Sequence, residues 1–432
     1  MTRYDAPLEQ TVQTLKHGDQ SLSTYLEEIR DRVETTDPDV QSLVDDPEWD
    51  RLAEEAAALE ERAETEELPL YGALVAPKDI INVDGLPTKA GSSLPPEAFA
   101  GPESAAVTAL REAGALVLAK AHTTEMAFAK PGPTCNPYNL AHTPGGSSSG
   151  SAAAVGAGLC QLALGTQTTG SSLRPAAFCG TVGLKATHGR ISAEGVMERS
   201  ASLDHVGVFT QDVPGMALAA SVLCSGWDPE GTVDDVPILG VPTGSYLEEI
   251  RPEGKMAFEK HCEALEDAGY EIQRVDLFED IERTYELHRA QNAMETALSH
   301  HERYEEYGEL YSEVIGSFVR RGRSETVEML ATVRADQDRL LEHVESVMED
   351  EGIDLWICPP ALGTAPEGID DTGSAFMNAP WTKTGMPAMS VPGGLVDGLP
   401  VGLQVIAPYG EDEQLLEWVG EIAPVVADVI DS

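Results

Sequence analysis

The chain of 432 residues carries 74 acidic against 28 basic side chains, and its formal net charge is −46. A surface this negative repels nucleic acid and anionic membranes, so neither is expected as a direct partner. No apolar run follows the first residues, and none approaches the roughly 18–20 residues that span a bilayer, so we expect a cytoplasmic protein.

The acidic residues are spread along the whole chain, which argues against an acidic interaction tail. Charges of one sign at this density repel one another and destabilise the compact state unless salt screens them. The composition is typical of halophilic proteins, and we expect this one to work in molar salt.

The first part of the chain, residues 7–66, has a helical pattern. Asp46-Pro47 opens an amphipathic stretch in it. We expect residues 1–68 to form an N-terminal helical region packed on a main body of residues 69–432. The apolar face of the amphipathic stretch comprises Trp49, Leu52, Ala56 and Leu59.

From Leu70 onward, helix and strand patterns alternate. Gly114 ends one predicted helix and Gly269 another, and an apolar strand follows each. Such alternation predicts an α/β/α layered domain with a central mixed, mostly parallel sheet covered by helices. The predicted helices are 104–113 and 252–268, and the predicted strands are 115–119, 159–164, 270–275, 355–358 and 401–406.

Residues 278–350 interrupt this alternation with a purely helical and highly charged pattern. Apolar residues recur in it at three- and four-residue spacings, which predicts one apolar stripe on a helix. A packed peripheral layer of helices is one interpretation of the region. The stripe consists of Leu330, Val333, Leu340, Leu341, Val344 and Met348.

Two Ser/Gly-rich loops, around Ser147 and Ser171, lie on either side of a small-residue helix and the strand 159–164. Loops of this kind let backbone N–H groups and serine hydroxyls meet at one point, as a hydrolase that attacks a carbonyl with a serine oxygen requires. Core elements frame the loops, which argues against a flexible linker. A phosphate cradle is disfavoured because both the GK[ST] ending and a GxGxxG run are missing.

These loops carry a resemblance to the amidase signature family of Ser-Ser-Lys hydrolases. The matching strings are GGSSSGS at 145–151, GTQTTGS at 165–171, RPAAFCG at 174–180 and GLK at 183–185. Further matches are APKD at 76–79, SLDHVG at 202–207, GMP at 385–387 and GLQ at 402–404, so the resemblance covers about residues 70–215 and 355–420. The resemblance implies the same α/β/α architecture, and it implies that the 278–350 helices wall the acyl pocket.

The resemblance implies a catalytic role for three residues. Ser171 is the implied nucleophile, Ser147 relays its proton through a cis peptide bond, and Lys78 is the terminal base. A serine hydroxyl needs such a base to attack at neutral pH, and lysine can serve only when burial keeps it neutral. The apolar residues on both sides of Lys78 predict that burial.

Backbone N–H groups at four small residues are implied to form the oxyanion hole: Thr168, Thr169, Gly170 and Ser171. Thr169 stands where the family usually has glycine, and its β-branched side chain is expected to narrow the pocket or restrict the backbone. The substrate pocket is expected to include Met126, Gly145 and Gly146.

The function expected from the resemblance is hydrolysis of a small-molecule carboxamide to a carboxylate and ammonia or an amine, through an acyl-serine. Neither a metal nor an organic cofactor is expected, because side chains and loop N–H groups suffice. The six cysteines lack zinc-site spacing and predict no disulfide framework. The sequence leaves the oligomeric state open, a homodimer included.

Three alternatives stay open. The glutaminase A subunit of a tRNA-dependent amidotransferase shares the catalytic trio, but it usually has aspartate at the position of Gln167 and a GGS-(I/V)-R string where 170–173 lie. A catalytically silent binding scaffold is the second alternative. The third, a Ser-His-Asp triad, is disfavoured because no G-x-S-x-G elbow frames Ser171. Its candidate bases are His122, His142, His188 and His205.

Overall fold

The computed structural model describes residues 3–228, 230, 235–427 and 429–430. Its strands are β1 (Leu74–Pro77), β2 (Leu116–Val117), β3 (Leu162–Gln167), β4 (Val182–Lys185), β5 (His205–Thr210), β6 (Leu239–Pro242), β7 (Ile272–Val275), β8 (Leu355–Cys358), β9 (Ala388–Val396) and β10 (Leu399–Ile406). Its α-helices are α1 (Leu8–Lys16), α2 (Leu22–Val40), α3 (Trp49–Ala63), α4 (Ala105–Glu112), α5 (Ser149–Ala157), α6 (Leu173–Cys179), α7 (Val213–Leu223), α8 (Ser245–Glu248), α9 (Pro252–Asp267), α10 (Ile281–Ser299), α11 (His301–Tyr307), α12 (Glu313–Ser324), α13 (Val327–Glu351), α14 (Ala379–Thr384) and α15 (Asp412–Val426).

The strands of the described chain form one mixed sheet in the order β2-β1-β3-β5-β4-β9-β10-β8-β6-β7. Parallel pairs lie at its two ends, where β1 pairs with β2 and β3, and β6 pairs with β7 and β8. The pairs between β3 and β8 are antiparallel. The predicted α/β fold with a mixed central sheet is therefore confirmed.

Helices cover both faces of this sheet. Successive side chains of a strand point to opposite faces, and in β1 and β3 they enter two different apolar cores. Val75 and Leu164 belong to the core that α4, α7 and α15 complete. Ala76 and Ala163 belong to the core that α2, α3 and α5 complete. The three layers follow from this alternation.

The helical pattern predicted for residues 7–66 corresponds to α1, α2 and α3. Ser21 caps α2, because its hydroxyl accepts a hydrogen bond from the N–H of Thr24. Leu52 and Leu59 of α3 are buried in the same core as Ala76 of β1, so the N-terminal helices pack on the sheet. The proposed boundary at residue 68 stays a prediction.

The charged segment 278–350 forms α10 to α13. The apolar stripe lies on α13, where Val333, Val344 and Met348 are buried. Among the described residues, no helix combines the length and apolarity needed to cross a membrane.

The sheet brings the two Ser/Gly loops to the carboxyl ends of β1 and β3. These strands are parallel, with Pro77 beside Leu164, so the residues that follow them lie together. The first loop runs into α5, which is buried along its whole length. Gly145 has a φ of 82° and packs against Pro175, a conformation and a closeness that favour glycine.

Candidate active site

Lys78 directly follows β1, and its side chain is fully buried. Its Nζ lies within hydrogen-bonding distance of three hydroxyls: Ser147 Oγ at 2.7 Å, Ser148 Oγ at 3.1 Å and Thr166 Oγ1 at 2.8 Å. The backbone N–H of Lys78 donates to the carbonyl of Leu164, which fixes the residue beside β3. The amine is thus held inside a cage of hydroxyl groups.

Burial is the main cause that lowers the pKa of Lys78 well below its usual value near 10.5. The positive charge of Arg199 lowers this pKa further, and the carboxylate of Asp204 opposes the change. A neutral amine can accept a proton, so this environment suits a general base.

Several hydrogen bonds fix the position of the loop at Ser147. Ser148 Oγ donates to the carbonyl of Thr166 and accepts from its N–H, both at 3.1 Å. The guanidinium of Arg174 donates to the carbonyl of Gly146. The peptide bond between Gly146 and Ser147 is cis. These contacts hold the Ser147 hydroxyl against Lys78.

The second loop presents Ser171. Its carbonyl accepts from the N–H of Ser148 at 3.2 Å, which ties the two loops together. Ser171 is half-buried, and its hydroxyl makes no hydrogen bond with any described residue. No described group accepts a hydrogen bond from the N–H groups of Thr168, Thr169, Gly170 or Ser171. The loop therefore offers a free hydroxyl beside free backbone donors.

Ser147 and Ser171 line one cavity of about 300 Å³. Its walls come from the two Ser/Gly loops, from α10 and α12, and from the segment 372–376. The helical segment 278–350 therefore contributes to this wall, through Tyr285 and His288 of α10 and Phe318 of α12. A second cavity of about 180 Å³ shares Ala127 and Arg199 with the first.

Thr169 and His288 meet at the edge of this cavity. Thr169 Oγ1 lies 2.9 Å from His288 Nε2, and both residues line the cavity. Burial lowers the pKa of His288 to about 3, so the ring is neutral. The β-branched residue that departs from the family pattern is thus in contact with a histidine 119 residues further along the chain.

Three residues expected in the pocket are not among those that line this cavity: Met126, Gly145 and Gly146. Met126 is fully buried in the main apolar core. Gly145 packs against Pro175 and Gly146 against Thr372. Their chain neighbours Ala127 and Ser147 line it instead. The expected pocket residues are thus adjacent in sequence to residues that line the cavity.

The four histidines considered as triad bases do not line the cavity with Ser171. His205 hydrogen-bonds the carbonyl of Leu203 and lies 3.4 Å from Lys185 Nζ. His188 lies against the ring of His205. Among the described residues, no group of three or more His, Cys, Asp or Glu is placed to hold a metal ion. Lys78, by contrast, hydrogen-bonds both Ser147 and Ser148 of the first loop.

The cavity residues that sequence reasoning missed include Arg199, His288 and Arg289. Arg199 lies in an irregular segment, and the two others lie on α10 within a charged helical pattern. Nothing in the local pattern distinguishes them from surface residues.

Comparison with known proteins gives a consistent result. The family model described as amidase matches residues 24–416. The A subunit of the glutamyl-tRNA(Gln) amidotransferase of Synechococcus sp. is 30% identical, over 93% of this chain and 94% of that protein. The corresponding protein from Symbiobacterium thermophilum is 32% identical, over 93% of this chain and 92% of its own length.

A crystal structure of an amidase superimposes with a TM-score of 0.88 at 31% identity, covering 98% of this chain and 100% of that one. The family match spans most of the chain, and the sequence relatives cover nearly its whole length. This chain therefore belongs to the amidase signature family, hydrolases that act on carbon–nitrogen bonds.

Proposed function

We propose that this protein hydrolyses a carboxamide through an acyl-serine intermediate on Ser171. The observation that carries the proposal is the buried Lys78, hydrogen-bonded to Ser147 at 2.7 Å, beside a cavity that also contains the free hydroxyl of Ser171. A base, a relay hydroxyl and a nucleophile at one cavity are the elements that acyl transfer requires.

In the first step, Ser171 Oγ bonds to the carbonyl carbon as its proton passes to Ser147. Ser147 passes its own proton to the neutral amine of Lys78. The carbonyl electrons move onto oxygen, and the free N–H groups at 168–171 support an oxyanion hole for that charge. The proton then returns through Ser147 to the leaving nitrogen as the carbon–nitrogen bond breaks. Water attacks the ester by the same path and releases the carboxylate.

Ammonia release from a panel of small aliphatic, aromatic and amino-acid amides in molar KCl tests this proposal. We expect at least one amide to be hydrolysed, with equal amounts of ammonia and carboxylate formed. The Ser171→Ala variant should release none above the buffer rate. Hydrolysis by that variant at the rate of the unmodified protein would contradict the proposed nucleophile.

The glutaminase A subunit of an amidotransferase is the second candidate, favoured by the two curated relatives. The contacts of Gln167 favour a stand-alone amidase. Its Oε1 accepts from the N–H groups of Ser172 and Leu173, and its Nε2 donates to Thr382 Oγ1 at 3.0 Å. The carboxylate of an aspartate at position 167 could not donate a hydrogen bond to Thr382, so the contacts of this loop fit the side-chain amide of glutamine.

Ammonia release from free glutamine, measured with and without an extract of the source cells, separates the two candidates. A stand-alone amidase should give the same rate in both conditions. A rate that rises strongly with the extract would instead identify a protein that depends on a partner.

We also propose that the protein works in a cytoplasm of high salt, because its net charge is −46 and its six cysteines are free thiols. Raising the ionic strength from 0.1 M to 1 M shortens the screening length from about 10 Å to about 3 Å. We expect the melting temperature and the amidase activity to rise together over this range of KCl, measured by calorimetry and ammonia release. A neutral osmolyte at matched osmolality is the control. Constant stability across the salt range would refute the halophilic interpretation and leave the amidase proposal intact.

A further inference from the structure

The charge of the cavity is opposite to that of the protein. Three arginines line it, Arg174, Arg199 and Arg289, and among the described residues no aspartate or glutamate does. The chain as a whole carries 74 acidic residues against 28 basic ones. A cavity without a carboxylate is therefore a marked local departure from the composition.

Arg199 is held so that part of its guanidinium stays available. Its Nη1 donates to the carbonyl of Ala127 at 2.6 Å, and its Nε donates to Asn292 Oδ1 at 3.2 Å. The guanidinium carbon lies 3.9 Å from the centre of the Phe128 ring. Its Nη2 donates to no described residue. Burial lowers the pKa of Arg199 only to about 10, so the group is charged at neutral pH.

Helix α10 adds further polar groups to the same cavity. His288 is buried, and its Nδ1 has no hydrogen-bond partner among the described residues. Arg289 is exposed at the cavity edge and forms no ion pair with a described residue. Arg174 is buried as well, and its Nε has no described partner.

Two carboxylates act electrostatically on these arginines, Asp204 on Arg199 and Asp371 on Arg174, and both are hydrogen-bonded elsewhere. Asp371 accepts from the N–H of Gly373. Asp204 accepts from Thr168 Oγ1 and from the N–H groups of Arg199 and Ser200. Glu295 accepts from Ser200 and pairs with Arg334 at 2.9 Å. None of these three carboxylates lines the cavity with Ser171. The positive charge in the cavity is thus not balanced by the protein within hydrogen-bonding distance.

We propose that the cavity selects amides whose acyl part carries an anionic group, a carboxylate above all. We assign Arg199 as the residue that binds this group. The inference rests on the proposed amide hydrolysis and names its substrate class. The guanidinium of Arg199 is hydrogen-bonded to no carboxylate of the described chain, and a carboxylate bound to its free Nη2 would form strong charge-assisted hydrogen bonds. A free α-ammonium group would find no carboxylate in the lining, so zwitterionic glutamine is disfavoured.

Calorimetric titration of the Ser171→Ala variant tests the inference, because the ligand then stays intact. The ligands are the monoamides of succinic, glutaric and adipic acid and the corresponding diamides, which match them in shape but lack the charge. We expect at least one monoamide to bind about tenfold or more tightly than its diamide. L-Glutamine, which adds only an α-ammonium group to the glutaric monoamide, should bind more weakly than that monoamide.

A second substitution in the Ser171→Ala variant identifies the residue responsible for the preference for monoamides. Adding Arg199→Met should bring monoamide and diamide to similar affinities, while methionine keeps the packing against Phe128. Arg289→Gln tests the exposed guanidinium without disturbing the core. Arg283→Met is the matched control, because Arg283 lies on α10 but pairs with Glu286 and does not line the cavity. It should leave the preference unchanged.

The inference is overturned if no monoamide binds more tightly than its diamide, or if the preference persists without Arg199. Glutamine binding more tightly than the glutaric monoamide would also overturn it. Failure of the proposed function has a different signature: the unmodified protein would release no ammonia from any amide, whatever the titrations give.

Discussion

Ser171→Ala is expected to lower kcat for the best amide of the panel by at least about 10⁴-fold, since removal of a catalytic serine leaves only binding and electrostatic contributions. The structure explains why the loss should be this large. Ser171 lines the cavity, and its hydroxyl has no hydrogen-bond partner among the described residues, so no structural role of the hydroxyl would mask the effect. Ammonia release and the melting temperature should be measured on the same preparation.

The matched control is Ser172→Ala, one residue further along the chain. The hydroxyl of Ser172 is fully buried and has no described hydrogen-bond partner. Its removal should leave kcat within about threefold and should not lower stability, since an unsatisfied buried hydroxyl is unfavourable. Equal losses in both variants would mean that the loop has been disturbed and that Ser171 has no special role.

The Lys78→Met variant should show the second large effect. We expect kcat/KM to fall by about 10²- to 10⁴-fold, the usual contribution of a general base. Methionine fills the buried space, and the mutual hydrogen bonds between Ser148 and Thr166 remain to hold the loop. Circular dichroism should therefore report an intact fold beside the lost activity. Activity within threefold of the unmodified protein would rule out Lys78 as the base.

The dependence of kcat/KM on pH tests the role of Lys78 independently. The base must be deprotonated, so kcat/KM should rise as pH rises through the lowered pKa of Lys78 and then level off, well below pH 10.5. Lys185 is the group to exclude, because burial lowers its pKa to about 7. Lys185→Met should leave the acidic limb of the profile where it is. A limb that disappears in this variant would assign the titration to Lys185.

Much of the local structure could be predicted from the sequence. Strand β8 has the bounds expected from its apolar run, and α9 ends within one residue of the prediction, before the turn at Gly269. The burial of Lys78 followed from the apolar residues beside it. These features depend on periodicity and on neighbours in the chain, which a single sequence displays.

Other features depend on contacts between distant segments. The strand expected at 159–164 begins only at Leu162, because Gly158 closes α5 in a left-handed conformation and the chain must first turn. Strands β4 and β5 were not recognised, since their glycines weaken the strand pattern and their pairing is with each other and with β3 and β9. Long-range pairing of this kind leaves little trace in local sequence.

The residues of the active-site region fall into the same two groups, those that local sequence predicts and those that depend on contacts between distant segments. Ser147 and Ser171 of the cavity, and Lys78 behind Ser147, lie in sequence strings that match the family. Arg199 and His288 do not, because their roles come from where α10 and an irregular segment meet the loops. The residues proposed to set the specificity therefore had to be found in the structure, whereas the proposed reacting groups could be expected from the sequence.

Labelling with a serine-directed fluorophosphonate, followed by peptide mapping, tests the central claim most directly, because it needs no knowledge of the natural amide. The account predicts one labelled residue, Ser171, with a labelling rate that falls sharply in Lys78→Met and is unchanged in Ser172→Ala. Absence of label on a folded protein, or label on another serine while Ser171 stays free, would contradict it.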